Sequence, residues 1–443
     1  MKFLKVNLVI TTIFIVLLSV SFSLLNAYPL DGVTESGIQR LIGYANSQAS
    51  ERGAKLPPGA LLSINDIKLS LGKTVELTDF DELTENQDLK LSLNSILKSR
   101  DPSYGAVVID MSDPDNIIWA GVRPDIKQNA GSVGKLLIMS GFFNALAKGF
   151  PDISNRKEIL KSTQVLAQNW VIRDSHTVPK FDPSIANNRF STVIPNDTFS
   201  LAEWIDHMIS PSANAAASVV WREAMLLEHF SSDYPVSLQT ANDFFSTTPK
   251  KELTELSQRV INQPLEAANI NTKNIQQGSF FTSTGKQKVP GLVSYATPRE
   301  LARIIYRMEQ GRLVDEWSSL EMKRFLYMTK RRYRYVYAPE LHNAAVYFKS
   351  GSLYQCKPEE NYVCGKYMGN AKNYMNSVAI VEWNNNENTR YLISLMSNVL
   401  KINSAWDHSR LAVAIDTAIR LRQGKVDVKE SGSKEEILGS GQG

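Results

Sequence analysis

The chain has 443 residues, 43% of them hydrophobic and 21% charged, and a formal net charge of +4. That length can bury a large core, and the composition is that of an ordinary globular chain. A charge this small, with no long basic run, gives no case for a nucleic-acid or acidic partner, and none is expected.

In chain order, Lys2 and Lys5 precede an uncharged, largely apolar stretch over residues 6–25, followed by Asn26-Ala27 and Tyr28-Pro29. This is the pattern of an export signal ending at Ala27, so residues 1–27 address the chain to the periplasm or the exterior. The stretch is long for a signal, and Leu25 is bulky where a small residue is preferred. Residues 6–25 therefore also fit an uncleaved single-span anchor. No Cys follows the stretch, which excludes a lipoprotein anchor. Residues 28–100 read as an N-terminal extension of mixed character. An amphipathic helix fits 36–51, Pro57-Pro58-Gly59 interrupts it, and a second helix fits 89–98.

The main domain is expected over 101–424. Gly105-Ala106-Val107-Val108-Ile109-Asp110 reads as a strand, and a turn at Asp113-Pro114-Asp115 leads to a partner, Ile117-Ile118-Trp119-Ala120. Helical periodicity dominates residues 134–308. Strands return at 344–349, 377–383 and 390–396, and a last amphipathic helix fits 405–422. The tail, 425–443, is rich in Gly, Ser and charge and is expected to be disordered. Strands at both ends with helices between them imply an α+β fold, with an antiparallel sheet drawn from both chain ends, packed with helices and accompanied by an all-α region.

Three short motifs fall in order: Ser132-Val133-Gly134-Lys135, Ser212-Ala213-Asn214 and Lys349-Ser350-Gly351. Together they supply a nucleophile, a lysine to deprotonate it, a proton shuttle and a cationic strand for an anionic substrate. Each alone is weak, since Ser-x-x-Lys recurs at Ser70, Ser95, Ser154, Ser283 and Ser431. Context separates them. Only Ser132 opens a long apolar run, Leu136-Leu137-Ile138-Met139 with Phe142, Phe143 and Leu146, which puts Ser132 and Lys135 on one face of a helix's first turn. Lys349 ends the apolar strand Ala344-Ala345-Val346-Tyr347-Phe348, and Ser212 sits in a Pro-containing loop before Ala215-Ala216-Ala217.

Over roughly residues 104–423 the chain resembles the penicillin-recognising serine enzymes, which include class A β-lactamases and low-molecular-mass D,D-peptidases. Thr297-Pro298-Arg299-Glu300-Leu301-Ala302-Arg303 adds to the likeness, resembling a helix start in the class A all-α region. The resemblance implies a β-lactamase/transpeptidase-like fold and no cofactor or metal. It also implies that Ser132 is acylated, Lys135 is its general base and Ser212 relays a proton to the leaving nitrogen. Asn214 would hold the substrate's amide side chain, and Lys349 its carboxylate. Ser350 and Ser352 would add hydrogen bonds after the tight Gly351, with one oxyanion donor near Ser352 and the other the nucleophile's own N–H. A lysine serves as base once neighbouring cations and desolvation favour its neutral form. The expected partners are a peptidoglycan-derived peptide or a β-lactam, acting on a monomer.

The chain departs from class A where a glutamate should activate the deacylating water. No Asp or Glu lies between Glu266 and Glu300, and the stretch is rich in Asn, Gln, Ser and Gly. Glu266 is the nearest candidate. Without such a base the acyl-enzyme should hydrolyse slowly, so the chain reads as more peptidase-like than lactamase-like. The alternatives are a true β-lactamase using Glu266, and a non-catalytic peptidoglycan-binding or sensor protein. The long separations between the motifs suggest insertions relative to a compact class A enzyme.

The two cysteines, Cys356 and Cys364, are close in sequence, and in an exported chain a disulfide is expected to brace the site's edge after Lys349. The five histidines show no metal-ligand spacing. Asp407-His408 offers a Ser-His-Asp alternative, and Arg331, Arg332 and Arg334 with their interleaved tyrosines offer either a carboxylate site or a solvated face.

Overall fold

The computed structural model describes residues 28–53, 55–72, 78–327, 334–383 and 387–426. The signal and anchor expectations for 1–27, nearly all of the tail, and Arg331, Arg332 and the Arg334 side chain lie outside what is described. Among the described residues no helix is long and apolar enough to cross a membrane.

The described residues form nine strands: β1 Gly105–Asp110, β2 Ile118–Val122, β3 Gln164–Leu166, β4 Thr177–Asp182, β5 Asn187–Thr192, β6 Thr198–Ser200, β7 Ala344–Gln355, β8 Lys372–Trp383 and β9 Arg390–Asn398. Five form an antiparallel sheet in the order β2-β1-β9-β8-β7, so the two ends of the chain meet along β1 and β9. This is the expected α+β, β-lactamase/transpeptidase-like architecture. The strands read as continuous apolar runs because both faces are covered. Val107 and Ile109 join the core shared with the Lys135–Gly149 helix, while Ala106 and Val108 join the core beneath the Gln87–Leu97 and Ala405–Arg422 helices.

Two expectations need correction. The reading of 134–308 as dominated by helices left out two small sheets, β3–β6 and the β4–β5 hairpin. β5 is polar and largely exposed, so it carries no apolar alternation; it is held by its backbone pairing with β4, and Asn188 Nδ2 adds a bond to the Arg40 carbonyl (2.9 Å). The helix expected over 36–51 is also split, into Val33–Ser36 and Arg40–Ala49. Gly37 takes a left-handed φ of 73° and ends the first segment, a conformation glycine adopts without penalty.

Residues 28–97 pack into the same cores as the rest. Tyr28, Ile38, Leu41, Ile64 and Phe80 belong to the core of the Lys135–Gly149 helix. Arg40 pairs with buried Asp206, and Ser70 donates its Oγ to Glu382 (2.8 Å) and its N–H to Glu309 (2.6 Å). Buried Lys323 lies between those carboxylates, 2.8 Å from Glu309 and 2.6 Å from Glu382.

Candidate active site

The residues 131–134 form a 3-10 turn that leads directly into the Lys135–Gly149 helix. Gly131 opens the turn at φ 53°, and its N–H donates to Asn129 Oδ1 (2.9 Å). Asn376 on β8 donates Nδ2 to the Asn129 carbonyl (2.9 Å), which fastens the turn to the sheet. β7 passes close by: a Cβ on Gly351 would lie 2.2 Å from the Ala130 carbonyl and 3.1 Å from the Ser132 nitrogen. Only glycine allows that approach. The same proximity brings the Ser352 backbone nitrogen to the nucleophile turn, 2.8 Å from where a Gly131 Cβ would stand.

Ser212 reaches the site from the other side. The Leu201–Ile209 helix ends at Ser210-Pro211, and the Ala213 N–H donates to the His207 carbonyl (3.0 Å). Ser212 then adopts φ 59°, a left-handed conformation uncommon for a residue with a side chain. Its carbonyl points at Lys135 as a result, and Asn214 heads the Asn214–Phe230 helix beside it.

These pieces converge on one amine. Fully buried Lys135 places Nζ 2.7 Å from the Ser212 carbonyl and 2.8 Å from Asn214 Oδ1. The same atom lies 3.1 Å from Ser132 Oγ and 3.3 Å from Ser212 Oγ. The two carbonyl oxygens can only accept, so they take two N–H groups and leave the third position facing the two hydroxyls. On the far side of Ser212, buried Lys349 donates to Ser212 Oγ (2.8 Å) and to the Ser350 carbonyl (2.9 Å). One proton can therefore move between Ser132 and Ser212 through Lys135, with a second ammonium fixed against the Ser212 oxygen.

Ser132 opens into a cleft of about 450 Å³ that Asn214 and Ser352 also line. Ser350 is buried beside Lys349. The disulfide is present between Cys356 and Cys364, with Cα atoms 6.1 Å apart. It closes the loop after β7, and that loop puts Lys366 and Tyr367 into the cleft, the Tyr367 ring 5.8 Å from that of Tyr354.

Other candidates lie elsewhere. Glu266 is exposed at the end of the Lys250–Ala267 helix and does not line the cleft. The helix runs on through Pro264, so the chain reaches the site only from Gln277 onward. There, Gln277 packs on the nucleophile turn, where a Cβ on Gly134 would meet its Oε1 at 2.1 Å, and the Phe281 ring sits 4.7 Å from Lys135 Nζ. His408 is buried among Ser377 Oγ (2.9 Å) and Ser397 Oγ (3.2 Å), and Asp407 pairs with Arg100, so the Ser-His-Asp alternative does not form around Ser132. Among the described residues no group of His, Cys, Asp or Glu could hold a metal ion.

One group that motif reasoning passed over does reach the cleft. His176 lines it, its Nδ1 2.5 Å from Asp174 Oδ1, and Asp174 also accepts the Ala215 N–H (2.8 Å). The only trace in the sequence is the Asp-Ser-His run, which has no helical or metal-site periodicity.

The profile of the beta-lactamase enzyme family matches residues 88–403. No curated protein matches the chain. Among solved structures it is similar to the β-lactamase of Sphaerobacter thermophilus DSM 20745, at 12% identity over 77% of this chain and 98% of that one, with a TM-score of 0.48. It is similar to a class A β-lactamase of Bacteroides cellulosilyticus DSM 14838, at 14% identity, 77% and 98% coverage and a TM-score of 0.48. PBP-A is similar at 14% identity, 79% and 100% coverage and a TM-score of 0.49. With the family profile spanning most of its length, the chain belongs to the beta-lactamase enzyme family.

Proposed function

We propose that this is an exported serine hydrolase that forms an acyl-enzyme on Ser132 with D-Ala-D-Ala-like peptides or β-lactams, and that it releases the acyl group slowly, as a D,D-peptidase does with penicillin. The observation that carries this is the position of Lys135 Nζ, within hydrogen-bond reach of both the Ser132 and Ser212 hydroxyls. Ser132 Oγ attacks the amide carbonyl while its proton passes to the neutral amine of Lys135. The carbonyl oxygen gains charge between the N–H groups of Ser132 and Ser352. Ser212 then gives its proton to the leaving nitrogen as the C–N bond breaks, and Lys135 restores it. Lys349 steadies the Ser212 oxygen and the substrate carboxylate; Asn214 holds the amide side chain, with Ser350 and Ser352 adding hydrogen bonds.

Slow release follows from what faces the ester. Among the described residues no Asp or Glu lines the cleft, and the loop over Lys135 offers Gln277 and Phe281, neither of which takes a proton from water. Export rests on the pattern of residues 1–27 and on a disulfide that persists only in an oxidising compartment. A fluorescent penicillin should label the wild-type protein and not Ser132→Ala. Lys135→Ala should slow labelling by roughly 10²–10⁴-fold. A chromogenic cephalosporin should give a stoichiometric burst that stalls; sustained fast turnover would make the protein a true β-lactamase, and no label at all would leave a non-catalytic binding protein.

A further inference from the structure

We propose that the natural substrates carry a second carboxylate, on the acyl-donor side of the scissile amide, and that His176 and Lys286 bind it; this rests on the acyl-enzyme reading of the same cleft. The cleft walls bear His176, Lys286 and Lys366, with no acidic side chain among the described residues that line it. A concave surface of one sign concentrates ligands of the other.

The two cations are placed by one helix. Asp174 is buried and accepts the Ala215 N–H and the His176 N–H (3.1 Å), so His176 is fixed over the first turn of the Asn214–Phe230 helix. Burial pushes the Asp174 carboxyl up, but its bonds from His176 and Ala215 more than offset this and hold it below the usual carboxylate range. That anion faces the His176 Nδ1, and the ring stays 24% exposed toward the cleft. Ser218, one turn further along that helix, shares a hydrogen bond with Thr282 Oγ1 (2.9 Å). Thr282 in turn caps the short Ser283–Lys288 helix, and its carbonyl accepts the N–H of exposed Lys286 (3.1 Å). His176 and Lys286 therefore line the same cleft as Asn214, the residue assigned to the acyl side chain. Lys349 stands at the other end, behind Ser212. A ligand spanning the site meets positive charge at both ends, which matches a peptide donor with a side-chain carboxylate as well as a terminal one.

Benzylpenicillin and carbenicillin test this directly, because they differ by one carboxylate on the acyl side chain. The second-order rate constant for the mass adduct on Ser132 is measured for each, in the wild-type protein, in Lys286→Met and in His176→Gln/Lys286→Met. We expect the wild type to favour carbenicillin by about tenfold at low salt, the size of one charge-assisted hydrogen bond. That preference should shrink in Lys286→Met, approach unity in the double variant, and shrink in the wild type as salt is raised. Equal rates in the wild type, or a preference untouched by the single exposed substitution and by salt, would overturn this inference alone. No adduct with either penicillin would overturn the acyl-enzyme reading and this inference with it.

Discussion

The site turns on how closely single residues approach. Ser132 has an ordinary hydroxyl; what distinguishes it is a turn pinned against β7 and a lysine whose other N–H groups are committed to the Ser212 carbonyl and Asn214. Gly351 is the residue that permits this. A methyl group there would meet the Ala130 carbonyl at 2.2 Å and the Val133 nitrogen at 2.8 Å, and all of these are backbone atoms that cannot rotate away. Gly351→Ala should therefore push β7 off the nucleophile turn, at a cost of about 1–3 kcal/mol in stability. Acylation should fall on the order of 10²-fold, because small displacements of reacting groups cost that much. Denaturant unfolding and penicillin labelling measure the two; an unchanged labelling rate in a folded variant would mean that the close approach does not position Ser132.

At the scale of elements, what could be read from the sequence was whatever had a strong period. The strand at 105–110 and the helix at 405–422 fall where a continuous apolar run and amphipathic spacing put them. β7 and β8 run past their apolar stretches, to Gln355 and from Lys372, because polar residues at a sheet's end still pair through the backbone ladder. β5 was unreadable for the same reason: its hydrogen bonds are backbone, and its side chains face water. The motif residues Ser132, Lys135, Ser212, Asn214 and Lys349 do come together, since each lies on a helix or strand or within a short turn that joins one directly. His176, Lys286 and Phe281 enter the cleft from loops and a short helix, whose paths depend on distant contacts such as Thr282 with Ser218. The Ala405–Arg422 helix also makes a pH prediction. Burial beneath it pushes the Asp416 carboxyl up to about 6, while Trp383 Nε1 and Tyr391 OH donate to its Oδ1 at 3.0 and 3.1 Å. Because the folded value is raised, the folded state binds more protons between the unfolded value near 4 and 6, so stability falls as pH rises through that window. Asp416→Asn keeps an acceptor for both donors and loses the titration. On going from pH 7 to pH 5, wild type should gain about 1 kcal/mol over the variant in urea unfolding; parallel pH profiles would contradict the buried, raised carboxyl.

For the whole molecule, residues 28–97 share their cores with the elements that carry the site, so the two are expected to unfold as one unit. Arg40 and Asp206 are both buried, and Asp206 lies on the Leu201–Ile209 helix, whose end leads into the loop that carries Ser212. Burial opposes the charge on Arg40, and the facing carboxylate more than offsets it, holding the guanidinium above its usual value. Arg40→Ala would strand a buried carboxylate, which costs about 3–5 kcal/mol. Denaturant unfolding should show a single transition shifted by that amount; a separate early transition would show that the N-terminal region unfolds by itself. The same unit brings Lys135 and Lys349, from remote parts of the chain, to either side of Ser212. The most direct test of that convergence is the intact mass of the protein followed over time after mixing with benzylpenicillin. The expected result is a gain of one penicillin, mapped to the Ser132 peptide, formed quickly and lost slowly, and absent in Ser132→Ala. A mass that never changes, or an adduct that survives the loss of the Ser132 hydroxyl, would contradict it.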